Sequence, residues 1–320
     1  MTTGLRAYTA NDLESIATLI TRIDCEGAQP RRVTAVELDE EFDGVHTDRN
    51  RDVIVAVIDD HVVGYGYLTV LLGADTHRCY IWGGIHPDHR GHGLGSEMID
   101  RLIEMASERM ADHTDAPVAL RAYVPTSDAT LEAMFDQRGW TAVRWFDDLH
   151  RPVRPVPSVP EPVGITIVDW DPMQTNELRD VKNAAFADHW GSQPSTEHEW
   201  SQLTDGGAAR LRWSTMALDR SGRIVGLCLV HRHDADDEVL GTTYAWIDKV
   251  ATLAEHRGQG IAAALISATM QHLNDAGIAN VALGVDSDSP TGAHRLYERL
   301  GFEPWTRYVT REQWLSHAPG

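Results

Sequence analysis

Runs of apolar and polar positions recur along this chain in one order that is played twice. In VIVAVIDDHVVGYGYLTVL, Val53 to Leu71, two apolar runs flank a polar turn and predict a strand, a tight turn and a second strand that carries Gly64. STMALDRSGRIVGLCLVHR, Ser214 to Arg232, repeats the pattern with Gly226 at the same place. Downstream, Cys79 to Arg109 reads as a strand, a Gly-rich loop and an amphipathic helix whose apolar positions Leu94, Met98, Ile99, Leu102 and Met105 are spaced by three or four. Tyr244 to Gly277 does the same with Ile261, Leu265, Ile266, Met270 and Leu273, and Gly277 marks the helix stop. Each half closes on a strand, a short helix and a Gly-aromatic pair, VALRAYV then LEAMFDQRGW, and VALGVD then LYERLGF. A repeat of this length and order predicts duplication of one unit.

Between the copies runs RPVRPVPSVPEPVG, Arg151 to Gly164, whose alternating prolines exclude helix and favour an extended connector. The expected organisation is a first domain at 1–150, a connector at 151–163 and a second domain at 164–320. A chain of 320 residues is long enough for two such cores.

Composition narrows the function classes. The net charge of -20 opposes nonspecific contact with nucleic acid or anionic lipid, so neither is an expected partner. Cys25, Cys79 and Cys228 are odd in number and far apart, which argues against a disulfide framework or a structural metal site and fits a reducing compartment. The start of the chain lacks the basic and apolar segments of a signal peptide, and no run approaches membrane-spanning length. The expectation is a cytoplasmic protein with no metal, and the sequence carries no sign of oligomeric state.

The candidate chemistry lies in two loops. Arg90-Gly91-His92-Gly93-Leu94-Gly95 and Arg257-Gly258-Gln259-Gly260-Ile261-Ala262 each follow a strand and open a helix, where free amides and the helix dipole favour an anion such as a diphosphate. The glycine spacing is neither that of a dinucleotide fingerprint nor that of a P-loop. It resembles R/Q-x-x-G-x-G/A, the coenzyme A loop of the GNAT N-acetyltransferase superfamily, and the likeness extends to the Gly64 and Gly226 strands and to LYERLGF. The resemblance implies an α+β fold of two tandem GNAT-like domains, each a mixed, mostly antiparallel sheet that splays open beside the loop and is flanked by helices. It also implies acetyl-CoA as cofactor and a primary amine on a small molecule as acceptor, attacked directly in a ternary complex.

The same resemblance assigns roles. Backbone amides of Val250, Ala251 and Thr252, on a bulged strand, would polarise the thioester carbonyl. Tyr297, four residues before Gly301, stands where the family places its general acid, and a phenol stays protonated at neutral pH while hydrogen-bonding a thiolate. Ordinary packing of a helix tyrosine is the competing reading. The first half has Phe135 at that position, which cannot donate a proton, so the first domain is expected to be non-catalytic. Trp246 stands where several members carry a basic glutamate. Asp248 is the candidate base, with a plain salt bridge as its alternative. Pro290 replaces an asparagine that contacts pantetheine, and Ser289 is its candidate substitute. Phe186, His189 and Trp190 form a candidate aromatic wall for the acceptor, equally compatible with core packing. The segment ELRDVKNAAFADH, Glu177 to His189, is locally similar to the mycothiol synthases, although Trp246 speaks against assigning that reaction. Two alternatives remain open: a non-catalytic acyl-CoA sensor, and a protein or peptide N-terminal acetyltransferase.

Overall fold

A computed structural model describes residues 3–289 and 292–315. The chain forms two compact units: Met1–Phe146 together with Thr306–Gly320, and Asp147–Trp305.

The first unit contains β1 (Thr3–Ala7), α1 (Leu13–Asp24), α2 (Ala35–Phe42), β2 (Val53–Ile58), β3 (His61–Leu71), β4 (His77–Ile85), α3 (Leu94–Met110), β5 (Val118–Pro125) and α4 (Ala129–Asp136). The expected hairpin of β2 and β3 turns at Asp59 and Asp60, both at positive φ (47° and 65°), the conformation that suits the twist of a two-residue loop. Strand pairing is antiparallel from β1 through β4 and parallel between β4 and β5. One sheet face is sealed by α3, whose Leu94, Met98, Ile99, Leu102 and Met105 are buried as their spacing predicts. The other face carries α1 and α2 over Val53, Val55 and Tyr67.

Strand β6 (Thr141–Pro152) leads into the second unit, which repeats the order with β7 (Ile165–Asp169), α5 (Thr175–Ala185), α6 (Glu197–Asp205), β8 (Thr215–Asp219), β9 (Ile224–His231), α7 (Asp236–Leu240), β10 (Tyr244–Thr252), α8 (Ile261–Asp275), β11 (Asn280–Asp286) and α9 (Ala293–Arg299). Here β10 and β11 form the parallel pair. Helix α8 stops before Gly277, at φ 76°, as expected.

The units are not contiguous in sequence, unlike the expected 1–150 and 164–320. The final strand, β12 (Glu303–Trp314), pairs antiparallel with β5 from Tyr308 to Trp314, so the chain's last strand completes the first unit's sheet. Residues from Asp147 onward in β6 flank β11 in the second. The Pro-rich stretch is not a free connector: Val153 is fully buried, its N–H bonds Ala279 C=O at 2.8 Å, and Val156 and Val159 pack on the second core. Alternating valines give the stretch an apolar side that proline's extended backbone can lay on a core. Among the described residues no helix is long and apolar enough to cross a membrane.

Candidate active site

In each unit the parallel pair opens partway along. Pairing of β4 with β5 ends at Tyr80 and Arg121, though the strands continue to Ile85 and Pro125. Pairing of β10 with β11 ends at Ile247 and Leu283, though these run on to Thr252 and Asp286. Beyond those pairs the facing backbone groups lack ladder partners, and an extended ligand can supply them. At the far end of each opening lies the Gly-rich loop. Gly91 and Gly93 adopt φ of 80° and 89°, and Gly258 and Gly260 adopt 76° and 84°. A Cβ at any of these four would meet nothing within 4 Å, so the left-handed backbone, not crowding, calls for glycine. The first intrahelical bond of α8 joins Ala264 N–H to Gly260 C=O, leaving earlier amides to point out of the helix start. Leu94 and Ile261 are buried, so these residues offer only backbone to a ligand.

The two loop arginines do not aim at that cradle. Arg257 donates to Thr252 C=O (3.4 Å), to Ala185 C=O (2.8 Å) and to Asp188 (2.7 Å), tying the loop to its own strand and to the end of α5. Arg90 likewise donates to Ile85 C=O (3.1 Å) and Glu26 (3.0 Å). Gln259 reaches back to Glu255 C=O at 3.3 Å. Thus the arginines fix the loop and leave the cradle to backbone amides, an arrangement that fits a diphosphate. Thr252 Oγ1, buried without a hydrogen-bond partner among the described residues, adds an unsatisfied group at the opening.

The bulge lies earlier than Val250–Thr252. Residues 250, 251 and 252 pair regularly with Cys228, Leu227 and Gly226, and the register slips between Ile247 and Lys249, with Asp248 as the extra residue. The first unit has no such slip, since β3 and β4 pair without interruption from Leu71 with Arg78 to Gly64 with Ile85. Asp248 is 27% exposed and lies 2.9 Å from Lys249 Nζ and 4.0 Å from His231 Nδ1. Burial works to raise its pKa, but the Lys249 ammonium prevails, with a smaller pull from His231 once that is protonated, and holds it below the usual carboxylate value. The salt-bridge alternative for Asp248 is therefore realised in part, by its own neighbour Lys249.

Tyr297 sits on α9, 8% exposed, edge-on to Phe302 at 5.9 Å. No protein group among the described residues hydrogen-bonds its hydroxyl. Burial, and secondarily the nearby Cys228, push its pKa well above the usual phenol value, so it stays protonated at any physiological pH. Cys228 is itself raised to about 12 by burial and is not a nucleophile. Phe135, the counterpart of Tyr297, is packed against Trp140 at 4.9 Å in the first core. Ser289 lies in the turn between β11 and α9, its N–H on Asp286 C=O at 3.1 Å. Pro290 lies outside the described residues.

Phe186 caps α5 and packs partly on the second core, with His189 5.4 Å away and Lys182 Nζ 6.0 Å over its ring. His189 Nδ1 meets Trp190 C=O at 3.1 Å, and Trp190 is half-buried. Asp188, in the same turn, is the residue gripped by Arg257, so this segment and the loop are held together. Sequence reasoning missed a row of near-parallel rings on the second sheet: His150, Tyr244, Trp246 and Trp305, with Trp305 4.8 Å from His150, 4.9 Å from Tyr244 and 6.1 Å from Trp246. Their separation in sequence hid them, although the i, i+2 spacing of Tyr244 and Trp246 was a signal that they share a strand face.

Two splayed sheets, each with a glycine cradle at a helix start, define a tandem acyl-CoA transferase fold. The model of the acetyltransferase (GNAT) family matches residues 15–123 and 175–302, and the chain belongs to that family. It is an acetyl-CoA-dependent acyltransferase. Among curated proteins it is similar to the mycothiol acetyltransferase of Thermobispora bispora, 30% identical over 69% of this chain and 72% of that one. It is also similar to that of Mycolicibacterium smegmatis, 30% identical over 80% and 81%. Among solved structures, a GCN5-related N-acetyltransferase from Sphaerobacter thermophilus superimposes with a TM-score of 0.77 at 27% identity, covering 99% of this chain and 97% of that one. A tandem GNAT protein from the clavulanic acid biosynthesis pathway gives 0.75 at 18% identity over 99% and 100%, a likeness of fold.

Proposed function

We propose that the second unit transfers acetyl from acetyl-CoA to a primary amine of a small molecule by direct attack in a ternary complex, and that the first unit does no chemistry. The observation that carries this reading is Tyr297, a phenol with a buried ring and no protein hydrogen-bond partner among the described residues, on the helix that follows β11, one strand of an opened pair that ends in a glycine cradle. A hydroxyl without a protein partner is left available to hydrogen-bond a ligand.

Acetyl-CoA supplies an activated thioester carbonyl. Amides from Gly258 to Ala262 hold its diphosphate, and unpaired amides of β10 between Asp248 and Thr252 stabilise charge that develops on the carbonyl oxygen. Tyr297 gives its proton to the departing thiolate. Asp248, ionised across the neutral range, draws the ammonium form of the acceptor and relays its proton to water. A carboxylate of lowered pKa is a weak base, so relay through water suits it better than direct abstraction. Phe186, His189 and Trp190 border the acceptor beside the loop, and Ser289 stands at the turn before α9.

The likeness to mycothiol acetyltransferases supports a small-molecule acceptor. The test is release of free thiol from acetyl-CoA over a panel of primary amines. Amine-dependent release that Tyr297→Phe abolishes is the expected result. Coenzyme A binding without release for any amine would return the protein to the class of non-catalytic sensors.

A further inference from the structure

Strand register aligns the two sheets differently from their shared Val-Ala-Leu triplets. Gly64 pairs with Ile85, and Gly226 with Thr252. Counting back along the strands brings Ile81 level with Ile247 and Tyr80 level with Trp246, because the bulge at Asp248 absorbs one extra residue. Tyr80 pairs with Arg121 and Trp246 pairs with Ala282. Two residues further along, on the same face, Tyr123 corresponds to Gly284.

What occupies that place differs completely. In the first unit the ring of Tyr123 lies on Tyr80 with centroids 5.6 Å apart and 6° between planes, and on Trp82 at 5.8 Å. In the second unit Gly284 is exposed, Trp246 is half-buried, and a Cβ at 284 would meet only Asp148 Oδ1, at 3.2 Å. The ring beneath is kept, stacked with Trp305 at 6.1 Å, while β11 supplies no ring where β5 supplies Tyr123. Level with Trp82 the strand carries Lys249, beside the bulged Asp248 whose carboxylate lies 2.9 Å from the Lys249 ammonium. Gly284 is also the first residue of β11 beyond its last pair with β10, at the mouth of the opening.

We propose that Gly284 is the specificity-determining residue of the acceptor site, and that the acceptor is a primary amine carried on a short arm from a planar aromatic ring. The ring takes the place that Tyr123 fills in the first unit, stacked on Trp246, and the amine extends toward Asp248. Aromatic rings favour such offset stacking over a half-buried indole, and a carboxylate beside the arm favours the cationic end. This inference rests on the acetyltransferase reading and deepens it.

The experiment measures thiol release from acetyl-CoA with tryptamine and phenethylamine against hexylamine and glucosamine. The ring-bearing amines are expected to show kcat/KM at least about tenfold higher, the scale of one good stacking contact. Gly284→Tyr restores the first unit's ring and is expected to lower kcat/KM for tryptamine by at least about tenfold, with coenzyme A affinity unchanged by titration. Gly284→Ala sets a Cβ 3.2 Å from Asp148 Oδ1 without adding a ring, and is expected to keep the preference for ring-bearing amines. Equal use of hexylamine or glucosamine, or full tryptamine turnover by Gly284→Tyr, overturns the inference and leaves the acetyltransferase reading intact. Should Gly284→Tyr lose its fold, the amine panel on the wild-type protein decides alone. Absence of thiol release with every amine overturns the reading beneath it.

Discussion

The two units share a frame and differ in what they hang on it. Their loop glycines agree in φ to within a few degrees, their parallel pairs open after four residue pairs each, and both loop arginines bond the last carbonyl region of the preceding strand. Every group that could act on a substrate differs. The second unit has a bulge with Asp248, a buried phenol at Tyr297, and small residues at Ala282 and Gly284. The first has an unbroken strand, Phe135, and in place of the small residues Arg121, paired with Glu312 at 2.8 Å, and the stacked Tyr123. The frame is built from backbone geometry, and the chemistry from side chains that the frame does not need. Substitutions made in matching pairs therefore separate folding from function.

The widest gap is expected at the proton donor. Tyr297→Phe should cost about 10²-fold or more in turnover, the usual worth of general acid catalysis. Because the hydroxyl has no protein partner, thermal stability should change by less than about 0.5 kcal/mol. Phe135→Tyr should leave turnover unchanged. Steady-state kinetics on both, with coenzyme A titration as control, check this. A Tyr297→Phe protein with wild-type turnover would remove the asymmetry on which the functional reading stands.

The next contrast concerns the cradles. A side chain at φ 84° or 89° costs about 1–2 kcal/mol or distorts the loop. Gly260→Val is expected to raise the acetyl-CoA KM about tenfold or more, since 1.4 kcal/mol corresponds to one decade. Gly93→Val, equally strained, is expected to leave KM and turnover within about twofold, the scale of a change that misses the site. Equal losses would show that the first cradle takes part in catalysis.

How legible each feature was follows the same division. Glycines at positive φ, helix periods of three and four and hairpin turns are local, so the duplicated frame could be read from Val53 to Leu71 or from Arg257 to Ala262. Tyr297 was legible only because its neighbours, LYERLGF, resemble a known motif. The unit boundary was not, because the pairing of β12 with β5 joins residues nearly two hundred positions apart and leaves no local trace. The bulge escaped for a related reason: an extra residue in β10 is visible only against its partner β9. The triplets Val118-Ala119-Leu120 and Val281-Ala282-Leu283 look equivalent, but strand pairing sets Arg121 level with Ala282, a shift of two positions of which the bulge accounts for one, so Gly284 stayed hidden behind Arg121 instead of facing Tyr123.

A third contrast, smaller still, lies at the position opposite Trp246. It is His231 in the second unit and Thr69, opposite Tyr80, in the first. His231 Nε2 meets Leu203 C=O at 2.9 Å. Burial lowers its pKa from 6.5, and the opposing pull of Asp248 and the Leu203 carbonyl does not restore it. The folded protein therefore binds fewer protons at this site than the unfolded chain, so its contribution to stability is full above pH 6.5 and declines as the pH falls through the lowered value. Thr69 does not titrate and accepts from Trp82 Nε1 at 3.1 Å at every pH. His231→Gln keeps a donor for Leu203 and removes the titration. The variant should show a shallower decline in Tm from pH 7 to pH 5 than the wild type, whereas Thr69→Ser should leave the slope unaltered. Parallel slopes for all three proteins would place the acid sensitivity elsewhere and overturn the claim that the second unit, unlike the first, carries at this position a part-buried imidazole of lowered pKa.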